Sequence, residues 1–287
     1  MLKIEYDTFS PGNGVVEVNH FPDKTQRLNI HVPTDATNAI ITWKYSSDEE
    51  MATIFFIVNH LREKSKNIRL VLNLGYTPNA RMDRVKTNDE VFTLKHFCKF
   101  INSLEFDYVY VIDPHSNVTP ALLNNVVVLN PNSTISSLYG SLCGEDGRKN
   151  NLCVFYPDAG AMKRYSEVSI SGEVFYGEKV RVWETGEIKG LDIHNKMYSS
   201  PVDTLEGKDF LLVDDIISYG GTMYYSVKKL KELGAGKIYL YCTHLEDSAF
   251  DTEKGMIAKV FNEGLVETLY TQDTLFSGQN DKIKFVI

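Results

Sequence analysis

Cysteine is scarce, with four in 287 residues. Cys98, Cys143, Cys153 and Cys242 stand far apart and form no C-x-x-C pair or zinc-like spacing, so they are expected as buried thiols rather than bridges or metal ligands. Long apolar runs are missing too: nothing approaches the ~18 residues that cross a bilayer. Glu5 and Asp7, close to the N-terminus, do not fit the basic-then-apolar order of a signal peptide. No membrane partner and a cytoplasmic address are expected. Positive charge is in deficit, with 30 Lys and Arg against 38 Asp and Glu and a formal net charge of -8. Nucleic acid is therefore not an expected partner, because a surface for it needs clustered cations that neutralise phosphate. Anionic substrates must meet local positive pockets instead.

The composition that remains, 43% hydrophobic and 24% charged, supports a sizeable core, and the length suggests two domains. Short apolar runs alternate with helical patterns, the signature of βαβ units around a mostly parallel sheet, so the expected fold class is α/β. Ala39 to Trp43 reads as a strand. Ser46 to Glu50 then supply a cap and an acidic first turn for a helix with Met51, Ile54, Phe55, Val58 and Leu61 inward. Arg69 to Leu74 is a strand; Val91, Leu94, Phe97, Ile101 and Leu104 mark a helix; and Tyr108 to Ile112 is a strand ending at Asp113-Pro114-His115. Further on, Leu152 to Tyr156 runs to Asp158, and Phe210 to Val213 runs to Asp214-Asp215. Acids recur where strands finish, the edge at which parallel sheets bind ligands. The junction is expected within 130–151, dividing the chain into domains of residues 1–135 and 136–287.

The run from Phe210 to Thr222 carries the strongest chemistry. An apolar strand leads into Asp214-Asp215-Ile216-Ile217-Ser218-Tyr219-Gly220-Gly221-Thr222 and then a helix with Met223, Val227, Leu230 and Leu233 on its inner face, stopped at Gly234. Two consecutive carboxylates after a buried strand are costly unless they face solvent or a ligand. Gly220 and Gly221 let the backbone approach an anion. Thr222 and the helix N-terminus add a hydroxyl and unpaired N–H donors, so a phosphate can sit there without a lysine. A branched side chain at Gly221 is expected to obstruct that anion and to strain a turn requiring positive φ.

This run resembles the PRPP-binding signature shared by type I phosphoribosyltransferases and PRPP synthetases (ribose-phosphate diphosphokinases). The resemblance implies that Asp214 and Asp215 face ribose hydroxyls and that Ser218, Tyr219, Gly220, Gly221 and Thr222 hold a 5-phosphate. Other segments resemble the synthetases in particular. Tyr76-Thr77-Pro78-Asn79-Ala80-Arg81-Met82-Asp83-Arg84 is similar to their ATP segment, with Met82 in place of a Gln; Arg81, Asp83 and Arg84 would meet the nucleotide. Asp113-Pro114-His115 and Tyr156-Pro157-Asp158-Ala159-Gly160 resemble the segments that give His115 to ATP and its Mg2+ and Asp158 to the metal. Glu178-Lys179-Val180-Arg181 resembles the Lys-x-Arg element of the catalytic loop. His20-Phe21-Pro22-Asp23 resembles the adenine-contacting turn, with Phe21 stacking, Asp23 on the base edge, and the turn serving a neighbouring subunit of a homo-oligomer. Thr243-His244 and Asp273-Thr274 match later pairs.

The resemblance thus implies two phosphoribosyltransferase-like domains, each a mostly parallel sheet flanked by helices. The first would carry the ATP segments and the second the ribose-phosphate loop. The implied reaction is Mg2+-dependent transfer of pyrophosphate from ATP to the C1 hydroxyl of ribose 5-phosphate, with Lys179 and Arg181 as the catalytic cations. Ser218 and Tyr219 replace the acid and Thr usual before Gly-Gly-Thr, which leaves open a larger acceptor such as ADP-ribose, with Tyr219 stacking on its distal base. Two further alternatives are a phosphoribosyltransferase consuming PRPP and a catalytically silent regulatory subunit.

Overall fold

The computed structural model describes residues 2–7, 13–144, 151–181, 188–198 and 201–286, and of 13–15, 179–181 and 188–190 only the backbone. The chain divides into two compact units, Met1–Leu129 and Asn130–Ile287.

The first unit contains β1 (Leu2–Tyr6), β2 (Asn13–His20), β3 (Gln26–Ile30), β4 (Asn38–Trp43), α1 (Glu50–Lys64), β5 (Arg69–Leu74), α2 (Thr93–Ser103), β6 (Tyr108–Ile112), α3 (Val118–Leu122) and β7 (Val126–Leu129). Its seven strands are ordered β3-β2-β1-β4-β5-β6-β7. β4 to β7 are parallel, whereas β1 runs antiparallel to both β4 and β2. Ala39, Ile41 and Trp43 of β4, Leu70, Leu72 and Leu74 of β5, and Val109 and Val111 of β6 alternate into one core with Ile54, Ile57, Val58 and Leu61 of α1. Their strand neighbours Ile40 and Tyr108 are exposed. One face of this sheet is therefore dry, which is what the period-two alternation encodes.

The second unit contains α4 (Asn132–Cys143), β8 (Leu152–Tyr156), α5 (Ala159–Arg164), β9 (Val174–Arg181), β10 (Ile188–Asn195), β11 (Asp209–Ile217), α6 (Gly221–Glu232), β12 (Ile238–Leu245), α7 (Ile257–Asn262), β13 (Thr268–Thr271) and β14 (Ile283–Phe285). Strand order is β10-β9-β8-β11-β12-β13-β14, with only β10 antiparallel to its neighbour. All five residues of β8 and the first five of β11 are buried. One core cluster takes Cys153, Phe155, Phe210 and Leu212, and another takes Leu152, Val154, Tyr156, Leu211 and Val213. Both faces of this sheet are covered, so its central strands are unbroken apolar runs.

Several local expectations shift. A division at 135/136 would cut α4, whose Ile135, Leu138 and Tyr139 pack into the second unit. Phe55 is exposed because the buried stripe of α1 runs through Thr53, Ile54, Ile57, Val58 and Leu61. Val91 lies before α2 begins and is exposed. All four cysteines are free, and three are buried. Among the described residues, no helix is long and apolar enough to cross a membrane.

Candidate active site

In the second unit the site is built where β8 and β11 end. β11 does not stop at Val213: Asp214 pairs with Cys242, Ile216 with His244 and Ile217 with Leu245 on β12, so the two acids lie within the strand. Asp215 is buried and Asp214 partly buried. β8 pairs with β11 only as far as Phe155 opposite Leu212, and continuing that register brings Asp158 level with Asp215. Asp158 is the N-cap of α5, its Oδ1 accepting from the Ala161 N–H at 2.9 Å, which orients the side chain at the strand end. At the other end of this six-residue helix, Arg164 Nη1 is 3.0 Å from Asp215 Oδ2. Asp214 Oδ1 accepts from the Asp215 N–H at 3.0 Å. Burial, then the adjacent Asp215 and more distantly Asp158, push the Asp214 carboxyl well above its ordinary range.

The loop after β11 turns on Gly220, whose φ of +82° is left-handed; Gly221 is the first residue of α6. The expected positive φ thus belongs to Gly220 rather than Gly221. A Cβ on Gly220 would stand 2.7 Å from Ile257 Cγ1, whereas one on Gly221 meets nothing within 4 Å. The Met256 N–H donates to Tyr219 O at 2.7 Å, tying the loop to the segment before α7. No side chain caps α6, an arrangement that suits an anion at its first N–H groups. Ser218 Oγ lies 3.4 Å from Ser248 Oγ, which in turn donates to Glu246 Oε2 at 2.8 Å. A carboxylate therefore stands two hydrogen bonds away from the loop position where the usual acid is missing. Tyr219 is 44% exposed, with Lys254 Nζ 5.8 Å from its ring centroid. At the end of β12, buried His244 Nδ1 is 2.9 Å from Thr274 Oγ1, which donates to Thr243 O at 3.2 Å. The two late pairs singled out in the sequence, Thr243-His244 and Asp273-Thr274, meet here.

Lys179 and Arg181 end β9, opposite Leu191 and Ile188 of β10. Their side chains lie outside the described residues.

In the first unit, Arg81, Asp83 and Arg84 follow β5. The segment is anchored by buried Tyr76, Thr77, Pro78 and Ala80, with the Met82 N–H donating to Asn79 O at 2.8 Å. Arg81 and Arg84 are exposed, and Arg84 Nε is 3.9 Å from Asp83 Oδ1. His115 follows β6 beyond Asp113, which is buried at a φ of +42°. The Asp113 N–H donates to Leu129 O and the Ile112 N–H to Gly75 O, so this turn is pinned to both neighbouring strands. Phe21 and Asp23 form the tip of the β2–β3 hairpin. Asp23 Oδ1 accepts from Thr25 N and Thr25 Oγ1 at 3.0 and 2.7 Å, bonds that lower its pKa. Phe21 is 49% exposed.

Two α/β units with mostly parallel sheets, one of which presents an acid pair, a glycine turn and an uncapped helix N-terminus at its strand ends, define a protein of the phosphoribosyltransferase-like fold class. The chain is 30% identical over 233 residues to a ribose-phosphate pyrophosphokinase of Thermococcus kodakarensis, covering 80% of this chain and 77% of that one. It is 27% identical over 261 residues to the ribose-phosphate pyrophosphokinase of Pyrococcus furiosus (88% and 81%) and 25% identical over 276 residues to that of Sulfurisphaera tokodaii (94% and 84%). The crystal structure of phosphoribosylpyrophosphate synthetase from Mycobacterium smegmatis shares the fold, with a TM-score of 0.71, 15% identity, and coverage of 95% of this chain and 85% of that one. No protein-family model matches. The chain belongs to the ribose-phosphate pyrophosphokinase family and is an enzyme of that type. The resemblance read from its motifs and the expected fold class are borne out.

Arg164 was not among the residues singled out from the sequence. The signal was the basic pair Lys163-Arg164 one helical segment after Asp158, where a cation can turn back toward a neighbouring strand.

Proposed function

We propose that the enzyme transfers the pyrophosphoryl group of ATP to the C1 hydroxyl of ribose 5-phosphate, giving PRPP and AMP, with Mg2+ as cofactor. The observation that carries the acceptor side is the continuous unit of β11, the Gly220 turn and uncapped α6, which offers hydrogen-bond acceptors for a diol and N–H donors for a phosphate. In this reading the N–H groups of Gly221 and Thr222 and the Thr222 hydroxyl bind the 5-phosphate. Asp214 and Asp215 orient the ribose hydroxyls, and Ser218 and Tyr219 line the loop. The C1 oxygen forms its bond to the β-phosphorus as the bond to the α,β-bridging oxygen breaks and AMP leaves; the hydroxyl proton goes to solvent. Lys179 and Arg181 neutralise charge on the phosphoryl oxygens as it redistributes. Arg81, Asp83, Arg84 and His115, in the first unit, hold the nucleotide.

Each within its own unit, His115 in the first and Asp158 in the second is proposed as a contact for Mg2+, which when bound would supply charge neutralisation at the phosphates. Among the described residues no group of three or more His, Cys, Asp or Glu could cage a metal. Mg2+ commonly relies on one or two carboxylates with phosphate oxygens and water. Asp158 spends Oδ1 on the α5 cap and keeps Oδ2 as a hard donor, and the excess negative charge around Asp214 suits a nearby divalent cation. The chemistry of Asp158 fits the ion.

Phe21 and Asp23 are proposed to contact adenine in a neighbouring subunit of a homo-oligomer. β2 pairs with β1 only through Val15, and Val16 to His20 pair with β3 alone, so the hairpin tip projects past the sheet. It lies three strands from β5, roughly 14 Å at ordinary strand spacing. A cytoplasmic location belongs to the same proposal.

One observation favours a second reading of the acceptor. Tyr219 presents an exposed ring beneath Lys254 at the lip of the phosphate loop, which suits an acceptor extended beyond its 5-phosphate, such as ADP-ribose. Incubating the protein with ATP, Mg2+ and each acceptor, then identifying products by mass, tests both. Pyrophosphorylated ribose 5-phosphate with AMP supports the first reading, and the product of the larger acceptor alone supports the second. Consumption of PRPP with a nucleobase, or no turnover at all, would overturn both.

A further inference from the structure

Two acids side by side at the end of a buried strand do not orient themselves. They repel, and each can relieve the repulsion by rotating away or by taking a proton. The structure holds one of them from outside the strand. Asp215 is 5% exposed, and Arg164 reaches its Oδ2 at 3.0 Å from the last turn of α5. The same short helix begins at the Asp158 cap, so α5 braces two acids of the site, one at each end.

We propose that Arg164 is a positioning residue of the acceptor site, fixing the Asp215 carboxylate in the orientation that receives the ribose hydroxyls. The planar guanidinium, anchored on α5, meets the carboxylate at Oδ2 and so fixes the plane in which Asp215 is presented. Arg164 itself touches no substrate in this arrangement. The role rests on the reading of Asp215 as an acceptor ligand and adds a residue that reading does not name.

A double-mutant cycle on the full-length enzyme separates the two ideas, with KM for ribose 5-phosphate and KM for ATP measured for Arg164→Met, Asp215→Asn and the pair, and thermal unfolding recorded for each. Asp215→Asn is expected to raise the ribose 5-phosphate KM by about 10-fold or more, the scale of a charge-assisted hydrogen bond. Arg164→Met is expected to raise it similarly, with the ATP KM within about twofold of wild type. The double variant should lose little beyond Asp215→Asn alone, because Arg164 acts through that carboxylate. Arg164→Lys, which keeps a cation but not the planar fork, should recover part of the loss and covers the case in which the Met variant fails to fold. An unchanged ribose 5-phosphate KM in Asp215→Asn would refute the acceptor reading of the acids. A raised KM there, with an unchanged KM in Arg164→Met or with fully multiplicative losses in the pair, would overturn the role of Arg164 alone. An Arg164→Lys no better than Arg164→Met would overturn it too.

Discussion

Gly220 and Gly221 are adjacent, yet the structure assigns them different burdens, and a pair of alanine substitutions can read them apart. Gly220 carries a φ of +82°, and a Cβ there would stand 2.7 and 2.9 Å from Cγ1 and Cδ1 of Ile257. Ile257 is fully buried beneath the loop and cannot swing aside. Forcing an L-residue into the left-handed region costs roughly 1–2 kcal/mol, and overpacking a filled site costs roughly 1–3 kcal/mol. Gly220→Ala should therefore destabilise the fold by about 2–5 kcal/mol, or roughly 4–20 °C in Tm for a unit of this size. Gly221 has a φ outside the left-handed region and open space around its Cβ position. Gly221→Ala should leave Tm within a few degrees of wild type, with any change upward, since Ala exceeds Gly in helix propensity by up to about 1 kcal/mol.

Function should run the other way. In the proposed reading, the open space a Gly221 Cβ would enter is where the 5-phosphate approaches the α6 N–H groups, so Gly221→Ala should raise the acceptor KM by about 10-fold while nucleotide affinity, measured by calorimetry, stays near wild type. Thermal unfolding and steady-state kinetics on the two purified variants decide the matter. A Gly220→Ala as stable as wild type would refute the packing argument. A Gly221→Ala with an unchanged acceptor KM, or with equal loss of ATP binding, would show that the loop holds some other group.

Lys179→Ala should lower kcat by roughly 100-fold or more, the scale of a lost electrostatic stabiliser; near-normal turnover in a folded variant would remove Lys179 from the chemistry. Asp158→Ala and His115→Ala should each shift the magnesium titration of activity to higher concentration, and unchanged titrations for both would dismiss the two proposed metal contacts. Asp214 has a folded-state pKa raised above its ordinary 3.8, so its contribution to stability is full below that value and is lost as pH rises through the raised one. Asp214→Asn should consequently unfold at a higher temperature than wild type at pH 7 in metal-free buffer, with the gap closing in acid; a lower Tm at pH 7 would contradict the burial argument.

The run from Phe210 to Thr222 was legible because everything it needs is local: an apolar strand, a turn of small residues and a helix with one apolar face. Gly234 was legible for the same reason, and it ends α6 with a φ of +90° and the Ala235 N–H donating to Leu230 O at 3.0 Å. What could not be read was whatever depends on a distant partner. The acids sit inside β11 because pairing with β12 continues past them. Positive φ falls on Gly220 because Ile257 and the Met256 N–H hold the loop from another segment. Arg164 becomes part of the site only because β8 and β11 are neighbours, a fact of topology that no spacing in the chain announces.

The contrast between the two sheets explains why the acids stand where they do. Where one face of a sheet is open, as around Ile40 and Tyr108 in the first unit, a polar residue can point to water without cost. β11 has no such face between its buried first residue, Asp209, and its last residues, so after Asp209 polar groups return only where the covering clusters end. There Asp214 remains starved of water and crowded by like charge, and the unliganded pair is held at higher free energy than two exposed carboxylates. In the proposed reading, a ligand bearing vicinal hydroxyls relieves that state by donating to the acids, while its phosphate meets the α6 N–H groups. On that reading, the burial that makes the acid pair costly by itself favours a ligand with donors at one end and an anion at the other.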